Sequence, residues 1–249
     1  MRALKKILSK IRNIGIVEAF YIVLKRIKYK KMLRANSIEE RFNIIYRENH
    51  WSSEESISGD GSEIEYTHNL RKWLIKKIGE LGIKKLVDAP CGDFNWMKLV
   101  VQEVDINYIG IDIVQDIITA NNSLYKEANI SFDVGNICED TLPACDLLIV
   151  RDCLFHLSFE DIDKFLKNIS NLEYKYLLTT NHILDKNYIN VDIKSGDFRN
   201  INIYNKPFNF RNKDIIDRVD DFPENHTLTP REMILIEKQN VPPSISSFL

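Results

Sequence analysis

The chain has 249 residues, 44% hydrophobic and 28% charged, with 9 Gly, 7 Pro and 4 Cys. That apolar share excludes a mainly disordered chain, and so few Gly and Pro exclude fibrous or linker-rich architectures. The net charge of −2 argues against a basic nucleic-acid binder, yet it hides an asymmetry: residues 1–34 hold 11 Lys and Arg against Glu18 alone, a net of +10, and the remainder carries −12.

In the basic head, Leu4, Ile7, Leu8 and Ile11 recur at helical spacing, and a second helix is expected from about Val17 to Leu33. Such a segment either rests on anionic lipid or caps the following domain with its basic face solvated. The apolar run Ile14–Leu24 is interrupted by Glu18 and, at 11 residues, is too short to span a bilayer. No small-residue cleavage site follows it, so the chain reads as neither secreted nor integral. Residues 1–50 are taken as a basic helical extension and 51–249 as the main domain.

Residues 51–62, W-S-S-E-E-S-I-S-G-D-G-S, form a small, polar loop. Its Ser56, Ser58 and Ser62 are candidates to hold an anion over a site; alternatively the loop is a connector. Ser62 and Glu65 have capping-box spacing and predict a helix reaching about Glu80. From Lys84 strands alternate with helices. The strands are expected at Lys85–Ala89, Asn107–Ile111, Ile130–Val134, Asp146–Arg151 and Tyr174–Thr180, with a last one at Met233–Lys238. Helices are expected from about Trp96, over Ile117–Lys126, and over Phe159–Ile169 started by Ser158 with Asp161. This order implies an α/β fold with a mostly parallel, doubly wound sheet. Residues 181–230 show weaker periodicity and read as a substrate insertion.

Cys91, Cys138, Cys145 and Cys153 show neither C-x-x-C pairing nor zinc-finger spacing with His, so a structural metal is not expected. Each lies in or beside an apolar run, as reduced thiols of a cytoplasmic protein would.

In a doubly wound sheet the ligand lies beyond the carboxyl ends of the strands. The first strand ends in D-A-P-C-G-D-F, where Gly92 permits a tight turn close to a ligand. Only one glycine of a dinucleotide fingerprint is present, which disfavours nicotinamide chemistry. Asp112 closes Y-I-G-I-D, placed to accept ribose hydroxyls, though it could instead cap a helix. Asn136 and Ile137 in V-G-N-I suit the edge and face of an adenine. R-D-C-L-F-H-L brings Arg151, Asp152 and His156 to the crevice.

Together these signals resemble the class I S-adenosylmethionine-dependent methyltransferases, from about Trp51 to the C-terminus. The stretches D-A-P-C-G-D-F-N-W-M, Y-I-G-I-D-I, R-D-C-L-F-H-L and Y-L-L-T-T, with the 51–62 loop, resemble a bacterial subgroup associated with capsule and surface-polysaccharide biosynthesis. The resemblance implies a Rossmann-like fold and S-adenosylmethionine as cofactor, leaving S-adenosylhomocysteine. It implies Asp88 and Gly92 around the methionine moiety, Asp112 on the ribose hydroxyls and Asn136 with Ile137 at the adenine, with Ala89, Pro90 and Ile113 also among the cofactor-binding residues. Arg151 is grouped with these or pairs with an acid at the sheet edge. Pro90 and Phe94 replace glycines of the family's loop, and Asn136 stands where Asp is usual.

His156 is either the general base or a loop-orienting residue, and His182, in T-T-N-H, is a second candidate base. Asp152 either orients that imidazole or holds substrate, and Arg199 in the insertion is a further substrate-binding candidate. The expected activity is O-methylation of a sugar hydroxyl, which needs a base, or of a phosphate or phosphoramidate oxygen, which needs positive charge instead. The acceptor is expected to be a small-molecule or nucleotide-linked glycan precursor, and nucleic acid is not expected. The competing readings are a non-catalytic docking module of a glycan-assembly complex and an N-methyltransferase, the latter disfavoured by R-D-C-L where an N-P-P-Y-type tetrapeptide would stand. Peripheral contact with the inner membrane through residues 1–34 accompanies the lipid-binding reading.

Overall fold

The run Leu147–Val150 forms strand β4 at the centre of the sheet and is buried on both faces. Leu147 and Ile149 pack into one apolar layer and Leu148 and Val150 into the other. A strand covered on both sides reads as an unbroken apolar run because neither face meets water. The computed structural model describes residues 27, 29–223 and 229–245. The helix expected around Leu4–Ile11 and most of the one expected over Val17–Leu33 lie outside these; residues 29–34 are helical.

The remaining strands are β1 (Lys85–Asp88), β2 (Asn107–Asp112), β3 (Ile130–Val134), β5 (Tyr176–His182), β6 (Ile215–Asp220) and β7 (Arg231–Glu237). They make one seven-stranded sheet in the order β3-β2-β1-β4-β5-β7-β6. β1 to β5 pair in parallel, and β7 runs antiparallel to both neighbours. The order reverses at β1 and β4, opening a crevice beyond their carboxyl ends.

Helices α1 (Ile38–Arg47), α2 (His68–Leu81), α3 (Met97–Val101), α4 (Gln115–Tyr125) and α5 (Phe159–Ser170) flank the sheet. Leu70, Leu74 and Ile78 of α2 share a layer with Met97 and Val100 of α3. Ile162, Phe165, Leu166 and Ile169 of α5 fill the opposite layer. Ser158 caps α5 as expected, its hydroxyl accepting from the Asp161 amide at 3.1 Å.

Three expectations are corrected. Ser62 does not open α2, which starts at His68 after Thr67; Ser62 lies in a 3-10 turn, its amide bonded to the Gly59 carbonyl. β6 was hidden in the weak periodicity of 181–230. It is an edge strand whose exposed Ile216, Arg218 and Asp220 break the apolar pattern, as solvent-facing edge positions do. α1 was also missed, although Ser37 and Glu40 make a capping pair, with the Ser37 hydroxyl accepting from the Glu40 amide. Met32, Ala35 and Ile45 are buried.

The edge of β4 is joined to β7 by charge. Arg151 donates twice to the fully buried Asp221 carboxylate, at 2.9 and 3.0 Å, and Arg231 donates to the Asp221 carbonyl at 3.1 Å. Removing one partner of such a pair strands a buried charge. Asp221→Asn should therefore lower the urea-unfolding free energy by about 3 kcal/mol. The same change at the adjacent exposed Asp220 should cost under about 0.5 kcal/mol. Equal effects would refute the ion pair as the cause.

Candidate active site

The turn after β1 holds a single glycine, Gly92. Gly92 and Phe94 both adopt left-handed backbone, with φ of 55° and 58°. That conformation is costly for Phe, and its ring is held against Tyr108, Phe132 and Tyr125 at centroid distances of 4.9, 5.0 and 5.4 Å. A Cβ on Gly92 would come within 2.3 Å of the Ser58 hydroxyl, so the turn and the 51–62 loop touch at a point only glycine fits.

That contact explains the serines. Ser56 and Ser58 donate to the Asp93 carboxylate at 2.9–3.1 Å, the Ile57 amide adds a bond at 3.1 Å, and the Asp93 amide donates back to Ser58. The anion held by this loop is thus a residue of the chain, which the sequence reading missed. Ser62 is buried, and its carbonyl accepts from Asn95 at 3.1 Å. Ser58 and Ser62 still border the cleft.

Beyond β1, β2, β3 and β4 lies a cleft of ≈ 980 Å³, counting its open mouth. Asp88, Pro90, Gly92, Asp112, Ile113, Asn136, Ile137, Arg151, Asp152 and His156 all line it, so most of the expected site residues converge. Ala89 is buried directly beneath, its amide bonded to the Ile149 carbonyl. Cys91, Cys138 and Cys153 also line it, and all four cysteines are buried free thiols. Burial pushes the Cys138 thiol up to about 12, far from a reactive thiolate. Among the described residues no His, Cys, Asp and Glu group is arranged to hold a metal.

Asp88 accepts from the Tyr108 hydroxyl at 3.0 Å, and burial pushes its carboxyl up to about 7. Asp112 is pushed up to about 6 by burial, against the pull of amide bonds from Val114 and Gly92 at 2.9 and 3.0 Å. Each Asp112 oxygen keeps a lone pair, so capping the chain and accepting ribose hydroxyls are compatible. The Asn136 oxygen accepts from the Cys138 amide at 3.0 Å, which fixes the orientation of the side-chain amide. Its Nδ2 is then a buried donor with no partner among the described residues. A buried, unpaired donor in a cleft wall calls for a ligand acceptor, such as an adenine ring nitrogen.

His156 lines the cleft while its Nδ1 lies 2.8 Å from the Asp197 carbonyl. A carbonyl can only accept, so Nδ1 carries the proton and, in the neutral ring, Nε2 carries the lone pair. Burial lowers the His156 pKa, which favours that neutral form.

The other candidates are corrected. His182 is buried outside the cleft, its Nδ1 accepting from the Ile201 amide at 3.3 Å, and burial holds its pKa at about 4. It packs structurally against Phe155 at 5.0 Å. Arg199 also lies outside the cleft wall and caps the Leu157 and Leu154 carbonyls at 2.6 and 3.4 Å. Arg151 spends its donors on Asp221 and the Gly61 carbonyl, the acid-pairing alternative. Asp152 does not orient His156. Its carboxylate pairs with Arg231 at 2.9 Å and its backbone amide donates to the Thr180 hydroxyl at 2.9 Å; burial works to raise its pKa, but Arg151 and Arg231 outweigh this and hold it low.

Sequence reasoning also missed the cleft's outer wall, where Ile38, Phe42 and Tyr46 of α1 recur every four residues. Arg41 ties α1 to the Ser195 carbonyl at 3.2 Å, and Arg47 pairs with Asp116 at 3.6 Å. The helix therefore crosses from the loop holding His156 to the start of α4.

Solved structures with the same architecture include an S-adenosylmethionine-dependent methyltransferase of Leishmania major, at 14% identity and a TM-score of 0.59 over 84% of this chain and 89% of that one. The class I methyltransferase fold is therefore the fold of this chain. Magnesium protoporphyrin IX methyltransferase of Synechocystis, with S-adenosylmethionine bound, shares this methyltransferase fold at 11% identity and a TM-score of 0.55, over 82% of this chain and 98% of that one. Human N-acetylserotonin methyltransferase, also in complex with S-adenosylmethionine, aligns at 13% identity and a TM-score of 0.54 over 86% of this chain. This chain spans 65% of the human enzyme's length, under two thirds. No family model matches the chain, and no curated protein matches it.

The raised carboxyls fix a pH dependence of stability. Asp88 titrates near 3.8 when unfolded and at about 7 when folded, so its contribution is present below pH 3.8 and lost as pH rises through 7. Asp88→Asn removes that titration. The Tm difference, variant minus wild type, should grow steadily from pH 4 to pH 8 by calorimetry; a flat difference would show that Asp88 is not buried as described.

Proposed function

We propose that this protein is an S-adenosylmethionine-dependent methyltransferase that methylates a neutral hydroxyl, and that its acceptor is a sugar of capsule or surface-polysaccharide precursors. The observation carrying the hydroxyl reading is His156, a cleft residue whose Nδ1 proton is committed to the Asp197 carbonyl, leaving Nε2 as the basic nitrogen. The sugar and capsule assignment is supported by the sequence stretches quoted above.

Asn136 Nδ2 would donate to the adenine, Asp112 would hold the ribose hydroxyls, and Asp88 with the Gly92 turn would receive the methionine end. When bound, S-adenosylmethionine supplies an electrophilic methyl group on a sulfonium for in-line displacement. The chain's part is to align the acceptor, exclude water and take the hydroxyl proton on His156 Nε2. An anionic acceptor is not favoured. The permanently cationic residue among the described cleft lining is Arg151, and its charge is met by Asp221.

The reading is tested with purified protein, by S-adenosylhomocysteine calorimetry and by product release with neutral and phosphorylated sugar acceptors. His156→Ala should lower kcat on a neutral acceptor by about 100-fold and leave S-adenosylhomocysteine affinity unchanged. The wild-type kcat should show an acidic limb with its midpoint below 6.5, lost in the variant, because burial depresses the His156 pKa. Full activity in His156→Ala would remove it as the base. Failure of the wild type to bind S-adenosylhomocysteine would favour the docking-module reading.

Asn136→Ala should weaken S-adenosylhomocysteine about tenfold, one charge-neutral hydrogen bond. An unchanged affinity would mean that the unpaired Nδ2 does not face the ligand.

A further inference from the structure

Trp51 begins the 51–62 loop and lines the cleft with its indole half-buried. Its ring centroid lies 5.6 Å from that of His156, tilted by 39°. The position is built rather than incidental. Gly59 has φ +93°, and a Cβ there would press to 3.1 Å on the Trp51 Cβ, so the loop closes against this side chain through a residue without one. His156 is fixed from its other side by the Asp197 carbonyl, by the Gly196 amide bonded to its own carbonyl, and by the rings of Phe155 and Phe198 at 4.5 and 5.8 Å.

An acceptor hydroxyl that gives its proton to His156 sits about 2.8 Å from the imidazole nitrogen. The carbon bearing it is then about one bond further away, which leaves the acceptor's ring within reach of an indole centred 5.6 Å from the imidazole. An indole face is apolar and electron-rich, suited to the C–H face of a pyranose and not to a phosphate.

We propose that Trp51 is a specificity-determining residue of the acceptor site, the platform on which a neutral pyranose lies while its hydroxyl meets His156. This rests on the methyltransferase and sugar-acceptor reading above and adds to it the residue that selects the acceptor. Trp51 binds the acceptor and takes no part in holding the cofactor.

The test uses the full chain saturated with S-adenosylhomocysteine and a set of methyl pyranosides of gluco, galacto, manno and N-acetylglucosamine configuration. Binding is read by saturation-transfer NMR, with each pyranose 6-phosphate as the charged counterpart. At least one neutral pyranoside should bind the wild type, and more tightly than its phosphate. Trp51→Ala should weaken it about fivefold or more; Trp51→Phe should keep affinity within about twofold. S-adenosylhomocysteine affinity should be equal in all three, which also reports that the variants are folded. Pyranosides that fail to bind the loaded wild type, or that bind Trp51→Ala equally well, would overturn the proposal. So would preference for the phosphates, or loss of S-adenosylhomocysteine affinity in Trp51→Phe. A wild type that does not bind S-adenosylhomocysteine would instead remove the reading beneath it.

Discussion

The Asp221 carboxylate, without solvent exposure, gathers the parts of the molecule that meet at the acceptor end of the cleft. It takes two bonds from Arg151 at the end of β4, and its carbonyl takes one from Arg231 at the start of β7. Arg151 reaches on to the Gly61 carbonyl at 2.6 Å, and Arg231 to Asp152 at 2.9 Å. One buried acid thus fixes the sheet edge, the 51–62 loop and the left-handed turn at Asp152, whose φ is 51°. Two guanidinium groups and two carboxylates leave the network close to neutral, which is what permits its burial. The same neutrality strips the cleft wall of free positive charge.

Among the described cleft-lining residues the one cation, Arg151, is paired, and many of the rest are aliphatic or aromatic, which lowers the local dielectric. There a carboxylate such as Asp88 or Asp112 holds its proton to higher pH, and an imidazole such as His156 loses it at lower pH. Both shifts have burial as their largest cause. Proton transfer from a neutral alcohol to a neutral imidazole creates charge only as the alcohol oxygen attacks the sulfonium methyl, whose own charge is being discharged. On the proposed reading, burial of the reacting groups favours that exchange over any route that begins with separated ions.

The parts of the fold that were legible in the sequence are mostly strands covered on both faces; β3, at the opposite edge from β6, was legible from its buried Ile130 and Phe132. β1 to β5 and β7 are apolar runs between turn residues, and their expected bounds differ from those observed by at most two residues. β6 was not legible because this edge strand alternates with charge; α1 was missed although its Ile38 and Phe42 pack against the core layer of α5. Within the site, position along the chain located the groups but not their partners. His156 and His182 each follow a strand end, and only the fold shows one ring lining the cleft and the other accepting an amide proton beneath it. The Ser/Gly loop reads as an anion holder for sound reasons; the anion is Asp93, three residues past Pro90, and no local pattern pairs residues 35 to 37 apart.

The charge asymmetry of the chain and its structural organisation divide at different places. Charge changes near residue 34, but the site begins before that in effect. The Tyr29 hydroxyl bonds the Asp197 side chain, and burial together with that bond pushes its pKa up to about 12. The Asp197 carbonyl holds His156, Lys194 of the same loop bonds the Leu33 carbonyl, and α1 walls the cleft. Charge belongs to exposed faces, whereas membership of a folded unit is decided by what is buried. The segment leading out of the basic head is therefore attached to the loop that holds His156.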